Sequence, residues 1–171
     1  PGLHPQPEYP APYSSVTIDE SKKVLFDDRL SSYTDVDHFL VSEKMRSDEL
    51  LSWLQDHNLV ILNVTGLSQY AYRNFGLSEA KINLINEIIK NKSVILVWHG
   101  NPYGLEKIEM FDQAKAVIVS YQENANTFDL TAQLIFGGIS ANGKLPVSIN
   151  PDFPAGTGMK LKGNIRLGYS I

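Results

Sequence analysis

The residues best suited to bind a ligand or take part in a reaction fall in three segments of this sequence, each of which follows an apolar run. These segments are residues 65–76 (TGLSQYAYRNFG), 99–104 (HGNPYG) and 121–124 (YQEN). Together they supply aromatic rings, amides, a histidine, an arginine and one carboxylate, which suits contacts with a sugar, a peptide or a second domain. The candidate residues for such contacts are Gln69, Tyr70, Tyr72, Arg73, His99, Asn101, Tyr121 and Glu123.

Several other chemistries are excluded by residue types and spacing. The chain has no cysteine, which excludes thiolate catalysis and zinc–cysteine sites, and its four histidines lack metal-ligand spacing. We therefore expect neither a metal nor a cofactor. No phosphate-binding glycine motif and no G-x-S-x-G nucleophile elbow occurs. Asp27 and Asp28 are adjacent in a predicted helix, where neighbouring side chains point about 100° apart, so we expect both to be solvated.

Composition indicates an ordinary globular domain. The chain has 171 residues, is 43% hydrophobic and 20% charged, and carries a net charge of −4. Binding to nucleic acid is not expected, since that needs a basic patch or stripe. No apolar run approaches the roughly 20 residues that cross a bilayer, so no membrane span is expected either. The chain begins with proline and not methionine, and we expect it to be a piece of a longer protein.

The elements that must position these segments alternate between strand and helix. The apolar runs predict strands at residues 15–19, 36–41, 59–64, 93–98, 116–120 and 145–149. Between them, helices are predicted at residues 21–33, from 47 onward, and at 78–90, 105–113 and 127–136. Ser21 and Ser47 are the expected N-caps. Strands that are apolar throughout are typical of parallel sheets covered on both faces. The sequence therefore predicts an α/β fold, a three-layer α/β/α sandwich with a mostly parallel sheet of about six strands.

The predicted organisation has three parts. Residues 1–13 are a Pro-rich arm or linker, residues 14–150 form the α/β domain, and residues 151–171 are a surface tail or connector. In such a sheet, ligands bind at the carboxyl ends of the strands, where the three chemistry-bearing segments are expected to lie.

Two segments resemble a known family. Residues 115–124 (KAVIVSYQEN) and 131–148 (TAQLIFGGISANGKLPVS) closely resemble the carboxy-terminal α/β-sandwich domain of glycoside hydrolase family 3. Residues 94–103 (VILVWHGNPY) are similar to the strand and Asn-Pro turn of that domain. The resemblance covers roughly residues 14–150. It is greatest to the β-N-acetylglucosaminidase (β-hexosaminidase) branch of Bacteroidetes.

This resemblance implies a domain without catalytic residues of its own. The nucleophilic Asp of the family lies on a preceding TIM barrel, for which this chain is too short. Its β-glucosidase-like members take the acid/base Glu from the loop after the third strand, but residues 65–76 contain no Asp or Glu. We therefore expect a noncatalytic domain that packs on a TIM barrel of the same polypeptide. The barrel would bind the carbohydrate, and this chain alone would be inactive. The resemblance also favours a periplasmic or secreted location.

Two alternatives stay open. The first is a β-glucosidase-like domain whose acid/base residue is Glu123 or Glu79. Glu79 falls in the first turn of a predicted helix, which favours the charged carboxylate and makes it a poor acid. The second alternative is a free-standing module that binds sugar.

Overall fold

Five strands form the centre of the molecule in a computed structural model, which describes residues 13–18 and 25–163. All five are parallel, and their order across the sheet is β2-β1-β3-β4-β5. In chain order they are β1 (Tyr13–Ile18), β2 (Asp37–Val41), β3 (Leu59–Val64), β4 (Val94–Trp98) and β5 (Ala116–Val119). This order places a topological switch point between the neighbouring strands β1 and β3.

Four helices cover the two faces of the sheet. They are α1 (Leu25–Ser31), α2 (Ser47–Trp53), α3 (Glu79–Asn91) and α4 (Ala125–Ile135). One face packs against α2 and α3, and the other packs against α1 and α4. The predicted α/β fold with three layers is confirmed.

The two longest helices have clear start signals. The side chain of Ser78 accepts a hydrogen bond from the backbone N–H of Lys81, which caps α3. Asn124 caps α4 in a capping box with Thr127. Gly137 follows α4 with a φ of 75°, the left-handed conformation in which a helix commonly ends.

The two faces of the sheet differ in polarity, as β1 illustrates. Successive side chains of a strand point to opposite faces. Val16 and Ile18 belong to the large apolar core beneath α2 and α3. Ser15 and Thr17 alternate with them and are also fully buried, on the side of α1 and α4. The apolar core of that second face is small (Phe26, Leu30, Ile61, Val97, Phe128 and Ala132).

The sixth predicted strand, residues 145–149, is wrong, and the sheet has five strands in the described part of the chain. Pro146 lacks the N–H that a sheet ladder requires. The backbone N–H of Leu145 donates instead to the carbonyl of Thr157 at 2.8 Å, and that of Ile149 donates to Phe153 at 2.9 Å. This segment therefore bonds to residues 153–157 of the chain and not to the sheet.

Two helix predictions also need correction. Residues 105–113 do not form one helix; two 3₁₀ turns, Pro102–Lys107 and Phe111–Gln113, take their place, with extended backbone at Ile108 between them. Ser47 does not cap α2, because Arg46 occupies the N-cap position without a side-chain cap. The predicted cap at Ser21 lies outside the described residues.

The described part of the predicted tail folds back onto the domain. The ring of Phe153 lies 4.9 Å from the ring of Phe111, measured between centroids. Ala141 and Leu161 exchange two backbone hydrogen bonds in an antiparallel bridge. Phe153 and Leu161 thus attach the described part of the tail to the domain. The predicted arm is outside the described residues, except for Tyr13, which begins β1.

Candidate functional site

The candidate site is the carboxyl edge of the sheet, where β3, β4 and β5 end. Because the strands are parallel, the segments that follow Val64, Trp98 and Val119 leave the same edge. We call residues 65–78, 99–101 and 120–124 the edge loops.

The longest edge loop, residues 65–78, owes its shape to backbone in the left-handed region. Gly76 has a φ of 76°, and a Cβ there would lie only 2.9 Å from the carbonyl oxygen of Gly66 and from the nitrogen of Ser68. Position 76 therefore requires glycine. Phe75 also has a positive φ, of 55°, and its ring is buried in the apolar core. Burial of this ring anchors the loop to the domain.

Hydrogen bonds join the three edge loops to one another. The backbone N–H of Gly66 donates to Oε2 of Glu123 at 2.7 Å. The amide of Gln69 donates to the carbonyl of Tyr121 at 3.2 Å, and the amide of Asn101 donates to the carbonyl of Gln69 at 3.0 Å. The structure thus brings together four of the predicted candidates, namely Gln69, Asn101, Tyr121 and Glu123.

Tyr121 has an unusual backbone conformation. Its φ is 63°, a value that L-residues with large side chains rarely adopt. The side chain is partly exposed, and the part that is buried raises the pKa of the phenol. Backbone strain of this kind is found at ligand sites and at tight loop junctions. Here it accompanies the turn that carries Glu123 toward Gly66.

His99 lies beneath the edge loops. It is 2% exposed, and its Nδ1 is 2.5 Å from Oγ of Ser120. Its ring meets the rings of Phe26 and Phe128 edge-on, at centroid distances of 5.9 and 4.8 Å. Burial lowers the pKa of His99 to about 4, against the opposing effect of a backbone hydrogen bond and of the Glu123 charge. His99 is therefore neutral at pH 7 and is almost fully shielded from solvent.

Tyr70, Tyr72 and Arg73 form a projecting patch on the longest edge loop. The two tyrosine rings are 5.3 Å apart, and the guanidinium of Arg73 lies 5.6 Å from the ring centre of Tyr72. Tyr70 is 56% exposed and Tyr72 is 78% exposed. We call these three residues the tyrosine patch. Its rings are open to solvent and to any partner that covers this edge.

Lys81 also lies at this edge, although the sequence pattern did not single it out as a site residue. Lys81 is 5% exposed, and its Nζ donates to the carbonyl oxygen of Thr65 at 2.7 Å. The bond ties the first turn of α3 to the start of the longest edge loop. A signal existed: Lys81 precedes Leu84, Ile85 and Ile88 at helical spacing, which places it on the buried stripe of α3.

Glu123 is the one carboxylate in the edge loops, since residues 65–78 and 99–101 contain no Asp or Glu. No group of three or more metal-ligating side chains occurs within residues 13–18 and 25–163. In the same residues, no helix is both long and apolar enough to cross a bilayer. The three edge loops therefore offer hydrogen bonds, aromatic surface and a single carboxylate, Glu123.

Asp27 differs from the prediction that it is solvated. Its side chain is only 18% exposed, and Oδ1 accepts a hydrogen bond from Oγ of Ser15 at 2.8 Å. His38 lies 3.2 Å from the same oxygen. The spacing argument failed because Asp27 lies at the boundary between helix and sheet, where a short side chain reaches β1. Asp28 is exposed, as predicted.

Comparison of this chain with protein-family models, curated proteins and solved structures finds no match.

Proposed function

We propose that this chain is the noncatalytic α/β domain of a β-N-acetylglucosaminidase-like glycoside hydrolase. A TIM barrel of the same polypeptide would hold the reacting groups and the carbohydrate, and the edge loops would face that barrel. One observation carries the proposal: the edge loops contain a single carboxylate, Glu123, and one of its oxygens is bonded to the N–H of Gly66. Retaining glycosidases generally use two carboxyl groups about 5–5.5 Å apart.

The edge loops have the properties of a preformed docking face. Hydrogen bonds between loops fix their backbone before a partner arrives, which reduces the entropy lost on association. The tyrosine patch adds exposed aromatic and guanidinium surface, the side chains that are enriched in protein interfaces.

The first test is an activity assay of the 171-residue chain with chromogenic N-acetyl-β-glucosaminide and β-glucoside. We expect no turnover of either substrate. Turnover that Glu123→Gln abolishes, and that the matched variant Glu79→Gln leaves intact, would overturn the proposal in favour of a β-glucosidase-like domain with Glu123 as the acid/base residue.

The second test is a calorimetric titration of the chain with N-acetylglucosamine and with glucose. A noncatalytic structural domain should bind neither sugar. Saturable binding that Tyr72→Ala removes would instead identify a free-standing module that binds sugar through the tyrosine patch.

A third test addresses the barrel directly. The reading frame that encodes this chain should also encode a barrel of about 250 residues. In that full polypeptide, Tyr72→Asp should lower the melting temperature and the hydrolytic rate, because it places a charge in the interface. Leu130→Asp, on the half-exposed outer side of α4, is the matched control and should change neither. Equal effects of the two variants would contradict docking through the edge loops.

A further inference from the structure

A second cluster of reactive side chains lies away from the edge loops, between α1 and the edge strand β2. Oγ of Ser31 is 2.6 Å from Nε2 of His38, and Nδ1 of His38 is 3.2 Å from Oδ1 of Asp27. Ser15 donates a hydrogen bond to that same oxygen of Asp27. A hydroxyl, an imidazole and a carboxylate thus follow one another in the order that nucleophilic serine sites use.

The fold explains why these residues meet. Asp27 and Ser31 are four residues apart, on the same side of α1. His38 is the second residue of β2 and stands opposite Ser15 of β1 in the parallel pairing. The strands therefore bring the imidazole and the Ser15 hydroxyl to one side of the sheet, where α1 supplies the carboxylate and the second hydroxyl.

The groups beside the two ring nitrogens favour one tautomer of His38. A carboxylate can only accept hydrogen bonds, so Asp27 places the proton of a neutral imidazole on Nδ1. Nε2 is then an acceptor, and Ser31 donates its hydroxyl proton to it. This is the arrangement in which a histidine acts as a general base toward a serine.

Solvent exposure decreases from Ser31 through His38 and Asp27 to Ser15, so the hydroxyl that would react is the most exposed group. Ser31 is exposed at the end of α1. The His38 side chain is 27% exposed, that of Asp27 is 18% exposed, and Ser15 is fully buried. A small molecule from solvent therefore meets the hydroxyl first, and the carboxylate stays largely shielded behind the imidazole.

We propose that Ser31, His38 and Asp27 form a nucleophilic site that takes an acyl group from a small, neutral, activated ester. Oγ of Ser31 forms a bond to the acyl carbon while Nε2 of His38 accepts the hydroxyl proton. The ester C–O bond then breaks, and the leaving alcohol departs with that proton. Water subsequently attacks the acyl-serine, with His38 again accepting and returning a proton, which releases the carboxylic acid and restores the Ser31 hydroxyl.

The surroundings define the substrate class. Asp28 and Asp35 are exposed carboxylates close in sequence to the cluster, and their charges disfavour anionic substrates such as phosphate monoesters. Leu40 follows His38 by two residues, so it lies on the same face of β2, and it is half-exposed. This apolar surface suits a short acyl chain.

The rate should be modest because the three residues that follow Ser31 supply no oxyanion hole. The N–H groups of Ser32, Tyr33 and Thr34 already donate to carbonyls of Arg29 and Leu30. One oxyanion donor commonly contributes about 10²–10³-fold, and these three residues do not provide it. The expected acceleration is that of a general base alone, about 10²–10⁴-fold.

The test is acetylation of the intact chain by p-nitrophenyl acetate, followed by release of p-nitrophenol and by mass mapping of the modified residues. We expect Ser31 to acquire the acetyl group about 10²-fold faster than its neighbour Ser32, whose hydroxyl bonds a backbone carbonyl instead of a histidine. His38→Gln should remove this difference, Asp27→Asn should reduce it, and Ser32→Ala should leave it unchanged.

Because the labelling of Ser31 and Ser32 is compared within the wild-type chain, this result does not depend on whether a variant folds. Equal labelling of Ser31 and Ser32 would overturn the proposal, and so would undiminished Ser31 labelling in a His38→Gln chain with wild-type circular dichroism. A slower reaction with p-nitrophenyl phosphate than with the acetate is expected from the acidic surroundings. Preferential phosphorylation of Ser31 would contradict the assigned substrate class.

Discussion

The two faces of the sheet differ in what they bury. Beneath α2 and α3, the strands present an apolar surface that includes Val16, Leu62 and Leu96, all fully buried. Beneath α1 and α4, the strands and the first residues of two edge loops bury polar side chains among a few apolar ones (Ser15, Thr17, Asn63, Thr65 and His99). The first face supplies most of the hydrophobic stabilisation, because that term scales with buried apolar area. The second face carries polar side chains that can form hydrogen bonds or react, and burying them costs stability.

The largest expected effect is on the apolar face. Leu96→Ala, in the interior strand β4, should lower the free energy of unfolding by about 2–5 kcal/mol, because it leaves a cavity in a close-packed core. Urea denaturation followed by circular dichroism measures the change. Leu130→Ala, at a half-exposed position of α4, should change it by no more than about 0.5 kcal/mol. A similar loss of unfolding free energy in both variants would contradict the expectation that the buried position contributes more to stability than the exposed one.

The second-largest expected effect is a pH dependence of the free energy of unfolding, caused by His99 on the polar face. His99 has an ordinary pKa near 6.5, which burial lowers to about 4 in the folded state. Between these values the unfolded chain binds a proton that the folded chain does not, so stability is lost as the pH falls. The loss should reach about 3 kcal/mol at pH 4.

Urea titrations of wild type and His99→Phe at pH 7 and pH 4 isolate this contribution from that of the carboxylates. The phenylalanine would lie beside Phe26 and Phe128, and Ser120 keeps its contact with the carbonyl of Gln122. The variant should lose about 3 kcal/mol less on acidification than wild type does. Parallel pH profiles of the two proteins would show that His99 is not a buried neutral group.

A smaller effect is expected from the polar pair Thr17 and Asn63. The amide nitrogen of Asn63 donates to Oγ1 of Thr17 at 3.1 Å, and both side chains are fully buried. Thr17→Val removes the acceptor and should cost about 1–3 kcal/mol, since it leaves a buried donor without a partner. The double variant Thr17→Val/Asn63→Leu removes both polar groups and should regain much of that loss. Additive losses in the double variant would contradict this explanation.

The smallest expected effect is at the edge loops. Glu123→Ala removes the acceptor for the N–H of Gly66 and should destabilise the chain by about 1 kcal/mol. Hydrogen exchange should be faster at the Gly66 amide, while amides in β4 keep wild-type protection when compared at equal global stability. Glu106→Ala, at an exposed carboxylate outside the edge loops, serves as the control. Unchanged exchange at Gly66 would mean that the Glu123 bond does not hold the loops together.

The sequence was most informative where burial alone decides structure. The apolar run Leu59–Val64 predicts both ends of β3 correctly. A strand that is covered on both faces is marked by a run of apolar residues and not by alternating polar and apolar residues. Helix α3 was predicted with similar accuracy from its apolar stripe. Predictions failed where local hydrogen bonds compete with periodicity, as at residues 145–149 with Pro146 and in the 3₁₀ turns after Asn101.

The candidate site was only partly predictable. Its location followed from the rule that ligands bind at the carboxyl ends of parallel strands, which selects the three edge loops. The bonds from Gly66 to Glu123 and from Gln69 to Tyr121 join residues more than 50 positions apart. They depend on left-handed backbone at Gly66 and Tyr121, which periodicity does not reveal. The cluster of Ser31, His38 and Asp27 was missed for a related reason, because β-sheet register brings His38 to Asp27.

Lys81 offers an internal reporter on the junction between β3 and α3. Its ammonium group is held against the carbonyl of Thr65 and is shielded from solvent. An amine-reactive label added to the native chain would modify solvent-facing lysines such as Lys44 and Lys90 quickly. Lys81 would gain the label only when the first turn of α3 separates from the loop, so its labelling rate would time the opening of this edge.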